Sequence, residues 1–222
     1  MVKLDSKFID SLFDLLNEKR CQYLILRNYQ SLPFFTGNDI DILIADEQLP
    51  VAICCIEKLC VTNSMNYKVV NNKYGIISLL IDFKETSVVI DFITLLIKQW
   101  VPYIDVKNVL ASKKRYKNFY IPSETHELYI VLVKELLTYN HVRKKNVKFF
   151  METLPIVNFE ELDVLLGKYF TFRSKKTLLQ VLNNYSFDEH DILHRKLILS
   201  RTLNSYLLPS DFFSWIYLNR IK

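Results

Sequence analysis

The sequence predicts an α+β fold: a mixed β-sheet flanked by helices, followed by a C-terminal helical bundle. Three observations carry this. Short apolar segments with strand-like patterning fill the first half, at 23–26, 39–44, 67–71, 76–81 and 88–93. Helical spacing separates them, at 3–20 and 50–59. From Ser123 onward the pattern is helical alone.

In chain order, Phe8, Leu12, Phe13, Leu15 and Leu16 recur at helical spacing, so a helix is expected over Lys3 to Arg20. Tyr23 to Leu26 then begins a strand. The segment Asp39-Ile40-Asp41-Ile42 alternates acid and aliphatic, which sends Ile40 and Ile42 into the core and both carboxylates to the opposite face. Pro50 suits the first turn of a helix running to about Leu59. Tyr67 to Asn71 and Ile76 to Ile81 read as a hairpin turning through Asn71-Asn72-Lys73-Tyr74-Gly75, and Val88 to Ile93 completes five strands. Pro102 to Pro122, with the basic run Lys113-Lys114-Arg115, shows no clear period and reads as a connector. The expected domains are therefore 1–121, α+β, and 122–222, helical. Ser123 caps a helix with an acidic first turn and a strongly apolar body through Leu137. Further helices are expected over 146–154, 159–170, 174–183 and 188–206.

Two ionised carboxylates two residues apart on one strand face repel unless a cation or water screens them. Asp39 and Asp41 meet that condition beside Gly37, which falls where a tight loop is needed. Asp91 stands alone inside the apolar run Val88-Val89-Ile90-Asp91-Phe92-Ile93. A charge placed there needs a partner: a lysine, a turn it caps, or a metal. If its strand lies beside that of Asp39 and Asp41, the three acids make a Mg²⁺ or Mn²⁺ site suited to phosphoryl chemistry.

Composition excludes several classes. At 222 residues, half of them hydrophobic, the chain can bury a full core. No apolar run approaches the roughly 18 residues of a spanning helix, and the first residues begin an amphipathic helix rather than a secretory signal, so a cytoplasmic protein is expected. Cys21, Cys54, Cys55 and Cys60 contain no CxxC pair, which favours reduced thiols over zinc or disulfides. Residues 1–100 carry 10 Lys/Arg against 12 Asp/Glu, whereas residues 101–222 carry 19 against 12. An acidic first half and a basic second half suit a polyanion that arrives with a metal, although an ordinary lysine-rich surface gives the same count. The basic excess is small and no Gly-aromatic recognition motif occurs, so nucleic acid is not the expected partner. His190 and His194 lie four apart near Asp188 and Asp191, half of a metal site with no second half. Phe212, Phe213, Trp215 and Tyr217 form an aromatic group suited to packing a terminal helix or to docking.

Asp39-Ile40-Asp41 and, some fifty residues later, Ile90-Asp91-Phe92 resemble the acid motifs of the nucleotidyltransferase superfamily, the fold of polymerase-beta-like enzymes and small antibiotic-modifying nucleotidyltransferases. The resemblance covers roughly residues 20 to 95. Where that superfamily carries Gly-Ser, this chain has Leu26-Arg27-Asn28-Tyr29-Gln30-Ser31-Leu32-Pro33, similar to a divergent bacterial branch found among surface-polysaccharide and related biosynthetic proteins. The resemblance implies a nucleotidyltransferase-like sheet with Asp39, Asp41 and Asp91 as catalytic metal ligands. It also implies Mg²⁺ or Mn²⁺, a nucleoside triphosphate, and a small acceptor such as a sugar hydroxyl or a phosphate. Arg27 and Asn28 are chemically suited to the work of the absent Gly-Ser, a cationic fork and a neutral amide for phosphate. The alternative is that Arg27 pairs with an acid at a strand end while Asn28 caps a turn. Gly37 would approach the nucleotide, and Lys134 with the Arg143-Lys144-Lys145 cluster would reach the triphosphate or an anionic acceptor; cations near a helix C-terminus are the other reading of that cluster. In such proteins a helical C-terminal part closes over the nucleotide. A non-catalytic regulatory module of the same fold, binding a protein partner or a second copy of itself, is the alternative function.

Overall fold

The computed structural model describes residues 2–183, apart from 38, 84–85, 99–100 and 140–141. The helix expected over 188–206, the His190/His194 pair and the aromatic group at 212–217 lie outside the described residues. The elements run β1 (Val2–Lys3), α1 (Ser6–Glu18), β2 (Tyr23–Ile25), β3 (Phe35–Thr36), β4 (Asp39–Ile44), α2 (Leu49–Thr62), β5 (Asn66–Lys73), β6 (Ile76–Asp82), β7 (Ser87–Ile93), β8 (Leu96–Lys98) and β9 (Val101–Ile104). They continue with α3 (Val106–Ala111), β10 (Lys114–Tyr116), β11 (Phe119–Ile121), α4 (Glu124–Tyr139), α5 (Lys144–Thr153), α6 (Phe159–Tyr169) and α7 (Phe172–Asn183). The fold is α+β, and the chain divides into two compact units. One comprises residues 1–96 with 106–123; the other comprises 97–105 and the chain from Glu124 onward.

The first unit is built on a five-stranded sheet in the order β2-β4-β7-β6-β5. It is mixed because β4 and β7 are parallel while every other neighbouring pair is antiparallel. The alternation read from the sequence sets its two faces. Ile40, Ile42, Ile90, Phe92, Leu79 and Ile81 enter one core with α1 and α2. Helix α1 offers that core Phe8, Ile9, Leu12, Phe13 and Leu16, all buried, and burying each is worth roughly 1.5–3 kcal/mol. It begins later than expected: Val2–Lys3 pairs as a short strand with Phe35–Thr36, and Asp5 caps the helix by accepting the Phe8 N–H at 3.1 Å.

Two expectations need correction. The β5–β6 turn is shorter than five residues, because β5 continues to Lys73 and only Tyr74 and Gly75 remain for the reversal. Gly75 has φ +77°, and a Cβ there would stand 2.7 Å from Leu95 Cβ, so this position requires glycine. The segment 102–122, expected as a featureless connector, holds β9, α3 and the β10–β11 hairpin. Each element is too short to establish a period. The hairpin nevertheless packs firmly: Phe119 is fully buried 4.9 Å from the Phe13 ring, Tyr120 meets Tyr23 edge-on at 5.8 Å, and Tyr116 meets Tyr29 at 5.3 Å. Its turn is tied to α1, where Asn17 Nδ2 donates to the Asn118 carbonyl at 2.6 Å and Asn118 Nδ2 donates to Asp10 at 3.1 Å.

The second unit is helical around buried tyrosines. Tyr129 on α4 donates to the Tyr103 carbonyl at 2.8 Å, and the Asp105 N–H donates to the hydroxyl of Tyr169 on α6 at 2.8 Å, which fixes 97–105 to this unit. Burial, with Tyr169 and Tyr103 adding to it, pushes the Tyr129 hydroxyl far above its usual pKa, so it serves as a neutral donor. The expected 146–154 helix starts two residues early and ends in a short 3-10 turn over Leu154–Ile156. No helix among the described residues is long and apolar enough to cross a membrane.

Candidate active site: three carboxylates and an arginine

In the parallel β4–β7 pair, Asp41 is the direct partner of Asp91, and Asp39 lies two residues earlier on the same face. A carboxylate oxygen from each of the three lies within 4.8 Å of the others. The aliphatic residues that alternate with them hold both strands against the helices, so packing on one face fixes the acids on the other. Asp41 is the most buried of the three at 5 % exposure, while Asp39 and Asp91 are half-buried. The condition set for a metal-bound Asp91, a strand lying beside that of Asp39 and Asp41, is met.

Arg27 joins them. The Leu26 N–H donates to the Asp41 carbonyl at 3.0 Å, which extends the β2–β4 ladder and brings the next residue level with the acids. Arg27 Nε donates to Asp41 Oδ2, and Arg27 Nη2 lies 3.5 Å from Asp39 Oδ2. Burial works against the guanidinium charge, but the Asp41 hydrogen bond and the charges of Asp41, Asp39 and Asp91 outweigh it and raise its pKa further. The strand-end ion pair considered for Arg27 is thus the one present.

Asn28 follows in the left-handed region at φ 57°, where asparagine is tolerated better than most residues, and it is exposed. Its Nδ2 would be 3.6 Å from a Cβ built on Gly37. That is ordinary contact, and Gly37 is not in the left-handed region, so the tight-loop reason for glycine at 37 does not hold. The loop is fixed instead by Thr36, whose hydroxyl donates to the Asp39 carbonyl at 2.7 Å.

Two polar residues that sequence reading passed over share the acid face. Ser78 is buried and stands directly opposite Asp91 across β6–β7, and Asn71, opposite Ser78 on β5, donates to its hydroxyl at 3.4 Å. The signal was a lone serine in the apolar run Ile76-Ile77-Ser78-Leu79-Leu80. Lys134 is a half-buried residue of α4 in the second unit. Arg143 is committed elsewhere: its side chain donates to Glu135 at 2.5 to 3.1 Å and lies 3.8 Å over the Tyr139 ring. Lys144 and Lys145 open α5, so they do not benefit from a C-terminal helix dipole there.

The donor set fits a hard divalent cation. Oxygens bound at about 2.1 Å around one Mg²⁺ are about 3–4 Å apart, so three carboxylates within 4.8 Å need to close only slightly to share an ion. Carboxylates as the sole acidic ligands favour Mg²⁺ or Mn²⁺ over zinc.

No protein-family model and no curated protein matches the chain. Among solved structures it is similar to the antibiotic-resistance factor ANT(2'')-Ia, with 11% identity and a TM-score of 0.46 over 81% of this chain and 97% of that one. It is similar to JHP933 from Helicobacter pylori, with 10% identity and a TM-score of 0.42 over 96% and 87% of the two chains. It is also similar to a candidate nucleotidyltransferase of H. pylori, with 10% identity and a TM-score of 0.45 over 96% and 89%.

Proposed function

We propose that the chain is a metal-dependent nucleotidyltransferase that moves a nucleotidyl group from a nucleoside triphosphate to a hydroxyl or phosphate of a small acceptor. The observation that carries this is the convergence of Asp39, Asp41 and Asp91 on one face of a parallel strand pair. A divalent ion held by these acids would neutralise charge on the transferred phosphoryl group and make the acceptor oxygen a better nucleophile. Asp39 and Asp41 would hold the catalytic and the nucleotide-bound ions, and Asp91, on its own strand, would complete the catalytic site and help lower the pKa of the acceptor hydroxyl. The acceptor oxygen forms a bond to the α-phosphorus as the bond to pyrophosphate breaks, and the acceptor proton passes to solvent. Arg27 and Asn28 are assigned to the phosphates in place of Gly-Ser, and Gly37 to the loop beside them. The resemblance of residues 20 to 95 points to a sugar or sugar phosphate on the way to a surface glycan as the acceptor.

A second reading is a non-catalytic module of the same fold that binds a protein. Arg27 in contact with Asp39 and Asp41 favours it, because those acids already have a cation. Calorimetric titration of the four nucleoside triphosphates, with and without Mg²⁺, separates the two. Metal-dependent binding of at least one nucleotide is expected of the enzyme, and no binding of any would leave the module.

A further inference from the structure

We infer that Arg27 is an exchangeable counterion of the three-acid site: it occupies the cation position while the site is empty, and divalent metal enters efficiently only with a polyphosphate that draws the guanidinium away. The inference rests on the metal reading above and adds to it what form of ligand the site accepts. The guanidinium contacts Asp41 Oδ2 and Asp39 Oδ2 together, so it competes with a metal for the electron pairs of these carboxylates. Its side chain is 40 % exposed, whereas that of Asp41 is 7 % exposed, so the cation can swing outward while the acids stay in place. Arg27 lies two residues beyond the end of β2 and directly precedes the left-handed Asn28, outside the regular ladder.

The arrangement of the acids supports exchange rather than permanent pairing. The guanidinium contacts two of the three clustered carboxylates, and the third adds negative potential at the same centre, which favours a divalent ion over a single positive charge. A bare divalent ion must nevertheless break a charge-assisted hydrogen bond with Asp41 to enter. A metal–polyphosphate complex meets no such obstacle, because its phosphate oxygens offer Arg27 an equivalent bidentate acceptor just outside the acids. The site would thereby reject free Mg²⁺ and admit metal together with triphosphate.

The test uses the full chain and Mn²⁺, followed by electron paramagnetic resonance, alone and with inorganic tripolyphosphate, so that neither the base nor the acceptor need be known. Wild type is expected to bind Mn²⁺ at least tenfold more tightly with tripolyphosphate than without it. Arg27→Gln is expected to bind Mn²⁺ alone at least tenfold more tightly than wild type and to lose the tripolyphosphate enhancement. Arg27→Lys, which keeps the charge but not the two-point hold, covers the case in which the glutamine variant does not fold, and is expected to tighten binding of Mn²⁺ alone by a smaller factor. If folded Arg27 variants bind Mn²⁺ alone no more tightly than wild type, the counterion role is overturned while the metal site stands. If Mn²⁺ binding in wild type and variants is absent or unchanged by Asp39→Asn, the three-acid metal site fails, and the inference falls with it.

Discussion

Two arginine–carboxylate contacts among the described residues, Arg143 with Glu135 and Arg27 with Asp41 and Asp39, are built differently. In the helical unit, Arg143 meets one buried acid, Glu135, through its backbone N–H at 3.0 Å and several side-chain hydrogen bonds, with its guanidinium flat on Tyr139. Burial pushes the Glu135 carboxyl up, and the Arg143 hydrogen bonds and charge, aided by Asn146, bring it below its usual range. One charge answers one charge, and the carboxylate oxygens are well supplied with donors. In the sheet unit, Arg27 contacts Asp41 and Asp39 together, with Asp91 clustered beside them. A one-to-one, well-bonded pair is a structural fastening; an arginine shared between clustered acids is the arrangement expected of the exchangeable counterion inferred above.

The sharpest way to break this comparison is at the acids. Asp41→Asn or Asp39→Asn is expected to abolish nucleotidyl transfer while the protein stays folded, since the loss of one carboxylate relieves repulsion in the empty site. Asp91→Asn is expected to lower the rate by orders of magnitude yet keep metal–nucleotide binding within about tenfold, roughly 1.4 kcal/mol. Near-normal turnover by any of these variants in a pyrophosphate-release assay would remove the metal mechanism.

The next effect is one of stability. Arg143→Met strands Glu135, 2 % exposed, and is expected to cost about 3 kcal/mol in urea unfolding, the low end for a broken buried pair because Arg143 itself is partly exposed. Addition of Mg²⁺ should not restore it. Arg27→Met should cost less, about 1 kcal/mol, and millimolar Mg²⁺ should recover the loss. Equal Mg²⁺ responses in the two variants would erase the distinction between fastening and site.

The smallest effects are in pH dependence. Glu135 has its carboxyl lowered in the folded chain, so its contribution is present above the unfolded carboxylate range and lost as pH falls through the lower folded value; Arg143→Met should flatten that acid limb. His126 is buried 3.5 Å from Glu161, and burial, only partly opposed by Glu161, lowers its pKa from the ordinary 6.5. The unfolded chain therefore binds the proton first. Stability from His126 is full above about 6.5 and declines as pH drops below it toward the folded value. Unfolding midpoints of His126→Gln between pH 7.5 and 5.5 should be flatter than those of wild type.

The five sheet strands were legible as short apolar or β-branched runs, and Asp39-Ile40-Asp41-Ile42 shows the period of two outright, whereas β2 is buried throughout and shows none. Their α+β arrangement followed. The four short elements between 101 and 121 were not legible: α3 buries Val106, Val109 and Leu110 within six residues, and one turn and a half of helix leaves no measurable periodicity. At the site, the acids were visible as charges in apolar strands. The partner of Arg27 was not, because whether it meets phosphate or Asp41 depends on how β2 registers against β4, and register is a property of two strands rather than of either sequence. Ser78 escaped for the same reason. One serine among aliphatics acquires meaning only when the ladder sets it opposite Asp91.

The β10–β11 hairpin has a consequence for how the chain is made. Phe119 fills the core against Phe13, and Asn118 bonds to Asp10 and Asn17, contacts that bridge more than a hundred residues of sequence. A nascent chain released as far as β7 has every strand of the main sheet but still lacks the piece that closes it. At ribosomal speeds of about 5–20 residues per second, the wait for the hairpin lasts on the order of seconds. Through that interval the apolar side of α1 and β2 stays open to chaperones or to premature association. Completion of the core beneath the acid-bearing sheet therefore waits for translation of the hairpin that supplies Phe119.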